Sequence, residues 1–200
     1  MYLPKKFELT DQSAIAEIIA ANSFGTLISH GETGLQVSHL PFEFDPQRNI
    51  LRCHMARPNP QWRDFGEQEV LAIFQGPHGY ISPRWYQTEL AVPTWNYVAV
   101  HVYGQPRIIE DDAEFEALLE NLVAQHEAQF ETPWKLEAPT DWQQNLRRAI
   151  VGFEMTITRI EAKAKMSQNR PIEDREGVIN GLQEQGETQL AAAMRAFNPL

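Results

Sequence analysis

Apolar and polar residues alternate along much of the first half of the chain. Between residues 25 and 109, apolar side chains recur at every second position in several stretches, most clearly in 97–103 (YVAVHVY). This period of two is typical of β-strands that bury one face. Gly-Glu-Thr-Gly at 31–34 separates two such stretches and predicts a hairpin. The apolar run at 69–76 predicts a buried strand, which we expect to end at the glycines and prolines after it.

Helical patterns precede and interrupt these strands. Thr10 or Asp11 is suited to cap a helix over 11–22, whose isoleucines fall on one face. A short helix is also predicted to begin at Asn59-Pro60. Asparagine is a favoured N-cap, and proline fits the first helical position because no N–H is needed there.

A second helical region follows the strands. The segment 110–150 is predicted to hold two helices, one starting at Asp111 or Asp112 and one over 140–150. Alternation then returns at 151–163 and predicts a late strand.

The end of the chain is helical in character. The pattern at 171–197 predicts two helices, and we expect Gly181 and Gly186 to break it.

The order of these elements predicts the fold class. Five or six strands come early and one returns late, and alternating βαβ units are missing, which favours a mainly β (α+β) barrel with flanking helices. We expect one domain over 1–200. Its parts are the barrel strands with the N-terminal helix (1–109 and 151–165), a helical insertion (110–150) and a C-terminal helical tail (166–200).

Composition adds an expectation about the compartment. Cys53 is the only cysteine, so an intrachain disulfide is excluded, and we expect it to be a buried small apolar side chain. The start, MYLPKKFELT, lacks the apolar stretch of a signal peptide, and no apolar run approaches the length of a membrane span. A cytoplasmic protein without a membrane partner is therefore expected.

The charge is unevenly distributed. The chain has 27 acidic and 17 basic residues, and ten of the acids but one of the bases lie in 110–141. The rest, with 17 acids and 16 bases, is nearly neutral. This balance argues against a broad DNA-coating surface but allows a local anion site. Six bases lie in or near the segments considered next: Arg52, Arg57, Arg84, Lys163, Lys165 and Arg170.

Familiar catalytic motifs are missing from the sequence. It contains no G-x-G-x-x-G, Walker A or G-x-S-x-G pattern. His126-Glu127 begins like a zinc-protease motif, but Phe130 stands where the second histidine is needed. We therefore predict no catalytic residue and no metal ligand.

Two polar segments interrupt the middle of the strand region. In 54–62 (HMARPNPQW), His54 and Arg57 lie where a strand leads into a helix start, and free backbone N–H groups with a guanidinium suit a phosphate. A capped turn with a solvated arginine is the alternative. In 75–86 (QGPHGYISPRWY), glycines allow a flat ligand to approach the backbone, and the alternative is a hairpin with core aromatic residues.

Two further segments lie later in the chain. In 92–97, Trp95 can stack on an aromatic cofactor and Asn96 can bond its ring N–H and C=O groups, or the two are a core tryptophan and a turn asparagine. The donor-rich segment 163–170 (KAKMSQNR) can hold a phosphate or contact a neighbouring subunit, or it is a solvated connector.

Taken in order, these segments resemble a known family. HMARPNPQW, VLAIFQGPHGYISPRWY, VPTWNYVAVHVYG, RAIVGFE and KMSQNRP are similar to the PaiB family of FMN-binding negative transcriptional regulators. The resemblance extends over roughly 1–182. It implies a Greek-key FMN-binding split barrel, like that of the pyridoxamine-phosphate-oxidase group. It also implies a homodimer with the flavin in a groove at the subunit interface.

The resemblance also implies a set of cofactor-binding residues. The 54–62 turn would face the flavin or its phosphate, two aromatic segments would border the groove, and the segment after the last strand would supply polar contacts. The residues are His54, Ala56, Arg57, Asn59, Gln61, Trp62, Ser82, Tyr86, Trp95, Asn96, Lys165, Ser167, Gln168 and Asn169.

Three functions follow as hypotheses. By resemblance, the chain is a negative regulator (a repressor) that acts on DNA or through another regulator, although no helix-turn-helix follows the helix at 11–22. The alternative is a flavin-dependent oxidoreductase using NAD(P)H on a small substrate. A haem-handling protein with His78 or His101 as ligand is the third hypothesis.

Overall fold

The computed structural model describes residues 1–32, 34–66, 68–135, 145 and 147–198. The strands are β1 (Phe24–Gly31), β2 (Gly34–Asp45), β3 (Ile50–Ala56), β4 (Val70–Ile81), β5 (Thr94–Ile108) and β6 (Ile150–Lys165). The α-helices are α1 (Gln12–Ala21), α2 (Asp112–Glu127), α3 (Ile172–Glu184) and α4 (Thr188–Phe197). Short 3-10 helices cover Lys5–Phe7, Pro60–Asp64 and Pro83–Trp85.

The six strands form a barrel sheet in the order β1-β2-β3-β6-β5-β4, which closes on itself. The late strand β6 pairs antiparallel with β3, from Ile50 opposite Thr156 to Ala56 opposite Ile150. The predicted hairpin is confirmed, since β1 and β2 pair from Phe24 opposite Pro41 to the tight end at Gly31 and Gly34. A mainly β fold with flanking helices is therefore confirmed.

The described residues group into two compact units. The terminal unit comprises Met1–Ile18, Gln75–Val100 and Glu161–Leu200. The central unit comprises Ile19–Phe74 and His101–Ile160.

The core of the terminal unit joins strand residues to the two C-terminal helices. Apolar side chains of α3 and α4 pack against residues of β4, β5 and the end of β6. The buried members are Ile81, Tyr86, Val98, Ala164, Met166, Val178, Ile179, Leu182, Leu190, Ala191 and Met194. Burying such side chains contributes about 1.5–3 kcal/mol each for the larger ones, so the tail helices are part of this unit's core.

The two glycines of the tail behave differently from each other. Gly186 has a φ of 80°, a left-handed conformation that suits glycine, and it separates α3 from α4 as predicted. The expectation for Gly181 is wrong, because this residue lies inside α3. A Cβ atom at Gly181 would lie 2.4 Å from Cδ1 of Trp85, so the glycine allows the indole to pack on the helix.

The core of the central unit is aromatic. Phe42 packs edge-on against Phe74 at 5.4 Å and against Phe153 at 6.3 Å between ring centroids. Outside the sheet, Phe115 of α2 lies so close to Gly152 that a Cβ there would be 2.9 Å from its ring. Asp111 caps α2 by accepting a hydrogen bond from the Glu114 N–H at 2.9 Å, as predicted.

One predicted strand is longer than expected, and one predicted helix lies only partly within the described residues. The strand expected to end near residue 76 runs on to Ile81 as β4. Gly79 serves helix packing rather than a turn, because a Cβ there would lie 2.7 Å from Cδ2 of Leu190. Most of the helix predicted over 140–150 lies outside the described residues, and 147–149 are helical.

The single cysteine, Cys53, lies inside the central unit. Cys53 is fully buried and its Sγ donates to the Pro41 carbonyl at 3.0 Å, which confirms its expected role. Burial raises the pKa of this thiol.

In the described part of the chain, no helix is both long and apolar enough to cross a membrane.

Candidate functional site

The 54–62 segment leaves β3 and enters the helix at Pro60–Asp64. Asn59 caps this helix: its Oδ1 accepts from the Gln61 N–H at 3.0 Å, and its Nδ2 donates to Ser38 Oγ at 2.8 Å. The predicted helix start is confirmed. Since Pro60 has no N–H and the Gln61 N–H is capped, few backbone donors remain there for a phosphate.

The Arg57 guanidinium is held by backbone carbonyls. Its Nε donates to the Arg148 carbonyl at 2.8 Å, and its Nη2 donates to the carbonyls of Arg147 and Ile150 at 3.2 and 2.8 Å. The Arg57 carbonyl in turn accepts from Trp62 Nε1 at 3.0 Å. These bonds fix the segment to the start of β6. The third guanidinium nitrogen, Nη1, makes no hydrogen bond to a carbonyl among the described residues.

Three other residues of this segment differ in their surroundings. Ala56 is exposed at the end of β3. His54 is half-buried, and its Nδ1 is buried without a hydrogen-bond partner in the described structure. Burial lowers the pKa of His54 and therefore favours the neutral ring. Gln61 is 1% exposed, and its Nε2 donates to Ser29 Oγ at 3.0 Å.

In the terminal unit, Lys165 at the end of β6 lies against the start of β5. Its Nζ donates to Thr94 Oγ1 and, at 2.6 Å, to the Trp95 carbonyl. An ammonium has three N–H donors, so one is left over among the described contacts. Burial, and then the positive charges of Lys163 and Lys6, lower the pKa of Lys165.

Exposed aromatic rings adjoin this lysine. Trp95 is 55% exposed and Tyr80 is 49% exposed, and their rings meet edge to face with 6.3 Å between centroids. Exposed aromatic faces of this kind are stacking surfaces for planar ligands. We call Lys165, Thr94, Trp95 and Tyr80 the Lys165 corner.

Asn96 and Ser167 meet inside the terminal unit. Asn96 is fully buried, and its Nδ2 donates to Ser167 Oγ at 3.0 Å and to Met194 Sδ at 3.3 Å. Ser167 has a φ of 64°. Asn198 supports the same region by donating to the carbonyls of Met166 and Met194 at 2.9 and 2.8 Å. This buried polar network attaches the tail to the strands.

The remaining candidates of this unit have local roles. Gln168 accepts from the Met166 N–H at 2.7 Å and donates to the Ala164 carbonyl, and Asn169 is exposed. Ser82 Oγ accepts from the Arg84 N–H at 3.3 Å and caps the helix at Pro83–Trp85.

Tyr86 lies in the core of the terminal unit. Its hydroxyl is buried, and the Arg170 side chain is its charged neighbour. Burial raises the pKa of this phenol, and the Arg170 guanidinium lies 4.5 Å from the ring centroid.

Asp174 is a functional candidate that the sequence analysis missed. It is 1% exposed and accepts from the Gln87 N–H at 2.8 Å, the Thr88 N–H at 3.0 Å and the Thr88 hydroxyl at 2.8 Å. These bonds hold the loop that leads to Trp95. An acid in the first turn of α3 was visible in the sequence, but nothing there pointed to Thr88.

The structure thus brings some predicted residues together and leaves others apart. Lys165 contacts Trp95 and Asn96 contacts Ser167 in the terminal unit, while Arg57, Asn59, Gln61 and Trp62 share one segment of the central unit. Within the described ranges, no three His, Cys, Asp or Glu side chains are grouped to hold a metal ion.

Comparison with known proteins adds sequence and fold relationships. A family described as "Putative FMN-binding domain" matches residues 1–159. Protease synthase and sporulation protein PAI 2 of Bacillus subtilis (strain 168) is 39% identical over 188 residues, which are 92% of this chain and 89% of the relative.

Solved structures share the fold at low identity. The flavocytochrome Anf3 from Azotobacter vinelandii matches with a TM-score of 0.61 and 13% identity, over 85% of this chain and 75% of that chain. The FAD and heme binding protein from Mycobacterium smegmatis matches with a TM-score of 0.59 and 12% identity, over 84% and 78%. At such identities the likeness concerns the fold alone.

Proposed function

The chain belongs to the FMN-binding split-barrel family, whose cofactor is FMN. We propose that it is a flavin-binding regulatory protein and that it holds FMN at the Lys165 corner. The observation that carries this location is the half-buried ammonium of Lys165, with one uncommitted N–H among the described contacts, beside the exposed rings of Trp95 and Tyr80.

The residues of the corner fit the chemistry of FMN. The cofactor combines a planar aromatic ring system with carbonyl oxygens and an anionic phosphate. The indole of Trp95 offers a face for stacking, and the Lys165 ammonium offers a charged donor to an oxygen. The bound flavin would supply hydride and electron transfer chemistry, while the chain binds and orients it.

The other predicted site residues form a second proposed contact group. His54 supports this role, because its buried Nδ1 has no partner among the described residues and its neutral ring can accept or donate. Arg57 and Asn59 act by shaping the segment, since their own side chains bond backbone and Ser38.

We also propose that the protein is a homodimer. The outer face of the β1–β2 hairpin in the central unit exposes Phe24, Leu35 and Val37. Large apolar side chains grouped on one sheet face mark a surface that a partner covers. A second copy of this chain is the proposed partner.

The regulatory role rests on similarity to the sporulation protein of Bacillus subtilis. The proposed action is transcriptional repression, on DNA directly or through another regulator in the cytoplasm. An electrophoretic mobility shift with the chain's own promoter over a salt series tests direct DNA binding, since phosphate contacts weaken as salt rises.

A flavin titration tests the binding proposal. Purified protein is titrated with FMN while flavin fluorescence is followed, and quenching by the exposed indole is expected. Lys165→Met removes the ammonium and keeps a flexible, unbranched side chain. We expect it to raise the Kd about 10- to 100-fold, because a hydrogen bond to a charged group contributes about 1.5–3 kcal/mol.

The matched control is Lys5→Met, which removes an exposed lysine of the same unit and should leave the Kd unchanged. No quenching at about 100 µM FMN would contradict flavin binding as proposed. An unchanged Kd in Lys165→Met, with binding intact, would move the flavin away from the Lys165 corner.

The oxidoreductase alternative has one supporting observation, the exposure of both Tyr80 and Trp95, on whose rings a nicotinamide can stack. Oxidation of NADH or NADPH by the FMN-loaded protein, followed at steady state, distinguishes the two functions. Sustained turnover would favour the enzyme.

A further inference from the structure

The outer face of the β1–β2 hairpin is apolar apart from two histidines and a threonine. Residues that lie opposite each other on paired strands share one face of the sheet. The pairs on the outer face are Phe24 with Pro41, Thr26 with His39, Ile28 with Val37 and His30 with Leu35. We call these eight residues the hairpin face.

Strand β4 widens this surface. Ile73 lies opposite Thr26 and Leu71 lies opposite Ile28, so two further aliphatic side chains adjoin the hairpin face without adding charge. Three apolar members of the hairpin face are more than half exposed, and they are Phe24, Leu35 and Val37. Covering such side chains is the main favourable contribution to protein association.

The charge of the hairpin face suits contact with a second copy of the chain. None of its eight residues carries a fixed charge. An interface with two-fold symmetry brings the same patch of both copies together, so a fixed charge on it would meet its like. The hairpin face meets this requirement as long as both histidines are neutral.

His39 lies within the apolar part of the hairpin face. Its Nδ1 is 3.0 Å from the Oγ1 of Thr26, and its ring stacks on that of Phe24 with 6.4 Å between centroids. His30 lies nearer the turn, opposite Leu35. Both histidines are exposed, so water solvates their rings in a single copy of the chain.

The charged groups of the hairpin and of β3 are engaged elsewhere or lie apart. Glu43 of β2 accepts a hydrogen bond from Arg52 of β3 at 2.5 Å. Glu32 is exposed in the turn, two residues after His30, and no hydrogen bond or ion pair among the described residues joins the two. Burial lowers the pKa of His54 on β3, so this ring stays neutral.

Two other elements pack against the hairpin. The short helix after β3 brings Asp64, whose carboxylate accepts from Gln36 on the opposite face of β2 at 2.6 Å, and Arg63, whose guanidinium lies over an indole ring. Helix α2 contacts β2 farther along, through the uncharged amides of Asn121 and Gln125. Fixed charges therefore do not offset a proton that is added to His30 or His39.

We propose that the hairpin face is a pH switch of assembly: two copies join while His30 and His39 are neutral, and protonation of these histidines separates them. A neutral imidazole enters an apolar contact and keeps its hydrogen bond to Thr26. An imidazolium must lose its hydration to do so, and it meets the same charge on the other copy. The switch rests on the proposed homodimer and uses no residue of the Lys165 corner.

The size of the effect follows from proton linkage. An imidazole in water titrates near pH 6.5, so a ring that enters the interface only when neutral weakens association about tenfold at about pH 5.5. The dimer contains two copies of His39, which together account for about 100-fold between about pH 8 and about pH 5.5. His30 adds to this value.

Sedimentation velocity of the full chain at constant ionic strength measures the dimer Kd over this range, with circular dichroism to show that the fold is kept. We expect the Kd of the wild type to rise about 100-fold or more from about pH 8 to about pH 5.5. His39→Asn keeps a neutral polar group beside Thr26 and should reduce that rise about 100-fold. The double variant His30→Asn/His39→Asn should show no rise.

Two single variants test whether charge is the cause. His39→Lys carries a permanent charge and should already weaken the dimer at about pH 8. His126→Asn, which replaces an exposed histidine of α2, is the matched control and should keep the full rise of the wild type.

The possible failures are distinguishable. A dimer with the same Kd across the range overturns the switch and leaves the homodimer standing, whereas a monomer at about pH 8 overturns the homodimer and the switch with it. A rise in Kd that persists in the double variant assigns the titration to other groups and overturns the role of the two histidines. Tighter association at low pH also overturns the proposal, because it requires a carboxylate opposite the protonated rings.

Discussion

Asp174 ties the loop before Trp95 to helix α3, and its replacement is expected to destabilise the terminal unit. Burial alone raises the pKa of Asp174, but hydrogen bonds from Thr88 and Gln87 and the charge of Arg170 outweigh it and lower the pKa. The carboxylate is therefore ionised in the folded protein near neutral pH and accepts three hydrogen bonds.

The magnitude depends on what replaces the carboxylate. Asp174→Ala removes the buried acceptor of two N–H groups and a hydroxyl on Gln87 and Thr88, and because these two residues are exposed, water can replace part of the lost bonding. We expect about 2–3 kcal/mol of lost unfolding free energy. Asp174→Asn keeps an oxygen for the two N–H donors but loses the charge, so about 1–2 kcal/mol is expected.

The pH dependence gives a second signature. Because the pKa of Asp174 is lower in the folded than in the unfolded protein, its stabilisation is present above the unfolded value of about 3.9 and is lost as pH falls through the folded value. The stability difference between wild type and Asp174→Asn should thus be full near neutral pH and should shrink below about pH 4.

Urea denaturation followed by tryptophan fluorescence measures these differences, with Glu173→Gln as the control. Glu173 is the exposed neighbour on the same helix turn, so its variant changes the charge equally without breaking the three hydrogen bonds to Asp174. If Asp174→Asn costs no more than Glu173→Gln at neutral pH, the role given to the three hydrogen bonds is wrong.

Two further predictions concern packing and assembly. Gly181→Ala places a Cβ 2.4 Å from the Trp85 ring and should lower the unfolding free energy by about 1–3 kcal/mol. The control in the same urea assay is Gly66→Ala, where nothing lies within 4 Å of the added Cβ. Equal effects of the two variants would contradict the packing argument. Val37→Lys places a charge on the exposed hairpin face and should convert the proposed dimer to a monomer, as measured by sedimentation velocity. The control, Val92→Lys, should leave the dimer intact. An unchanged dimer in Val37→Lys would place the interface elsewhere.

Local chemistry was sufficient to predict most elements. The alternation at 97–103 became β5, with its valines buried. The capping asparagine before Pro60 marked a helix start. These features depend on side-chain period and on backbone groups within a few residues, and both are readable in sequence.

The use of polar side chains depended on partners distant in the chain. Arg57 bonds carbonyls 90 to 93 residues away, and Asn96 bonds a serine 71 residues away. A sequence pattern shows that such residues can bind a ligand, but it does not show which donors the protein itself uses.

What the sequence by itself determined was the family, the strands and helices, and the residue types available for a flavin. Only the tertiary structure decided that Gly181 continues a helix, because Trp85 packs on it from a distant segment. It also decided that the Gln36 and Gln61 oxygens lack donors among the described residues while Asp174 has three. Hydrogen-bond satisfaction is a property of folded neighbours, and the order of residues along the chain does not contain it directly.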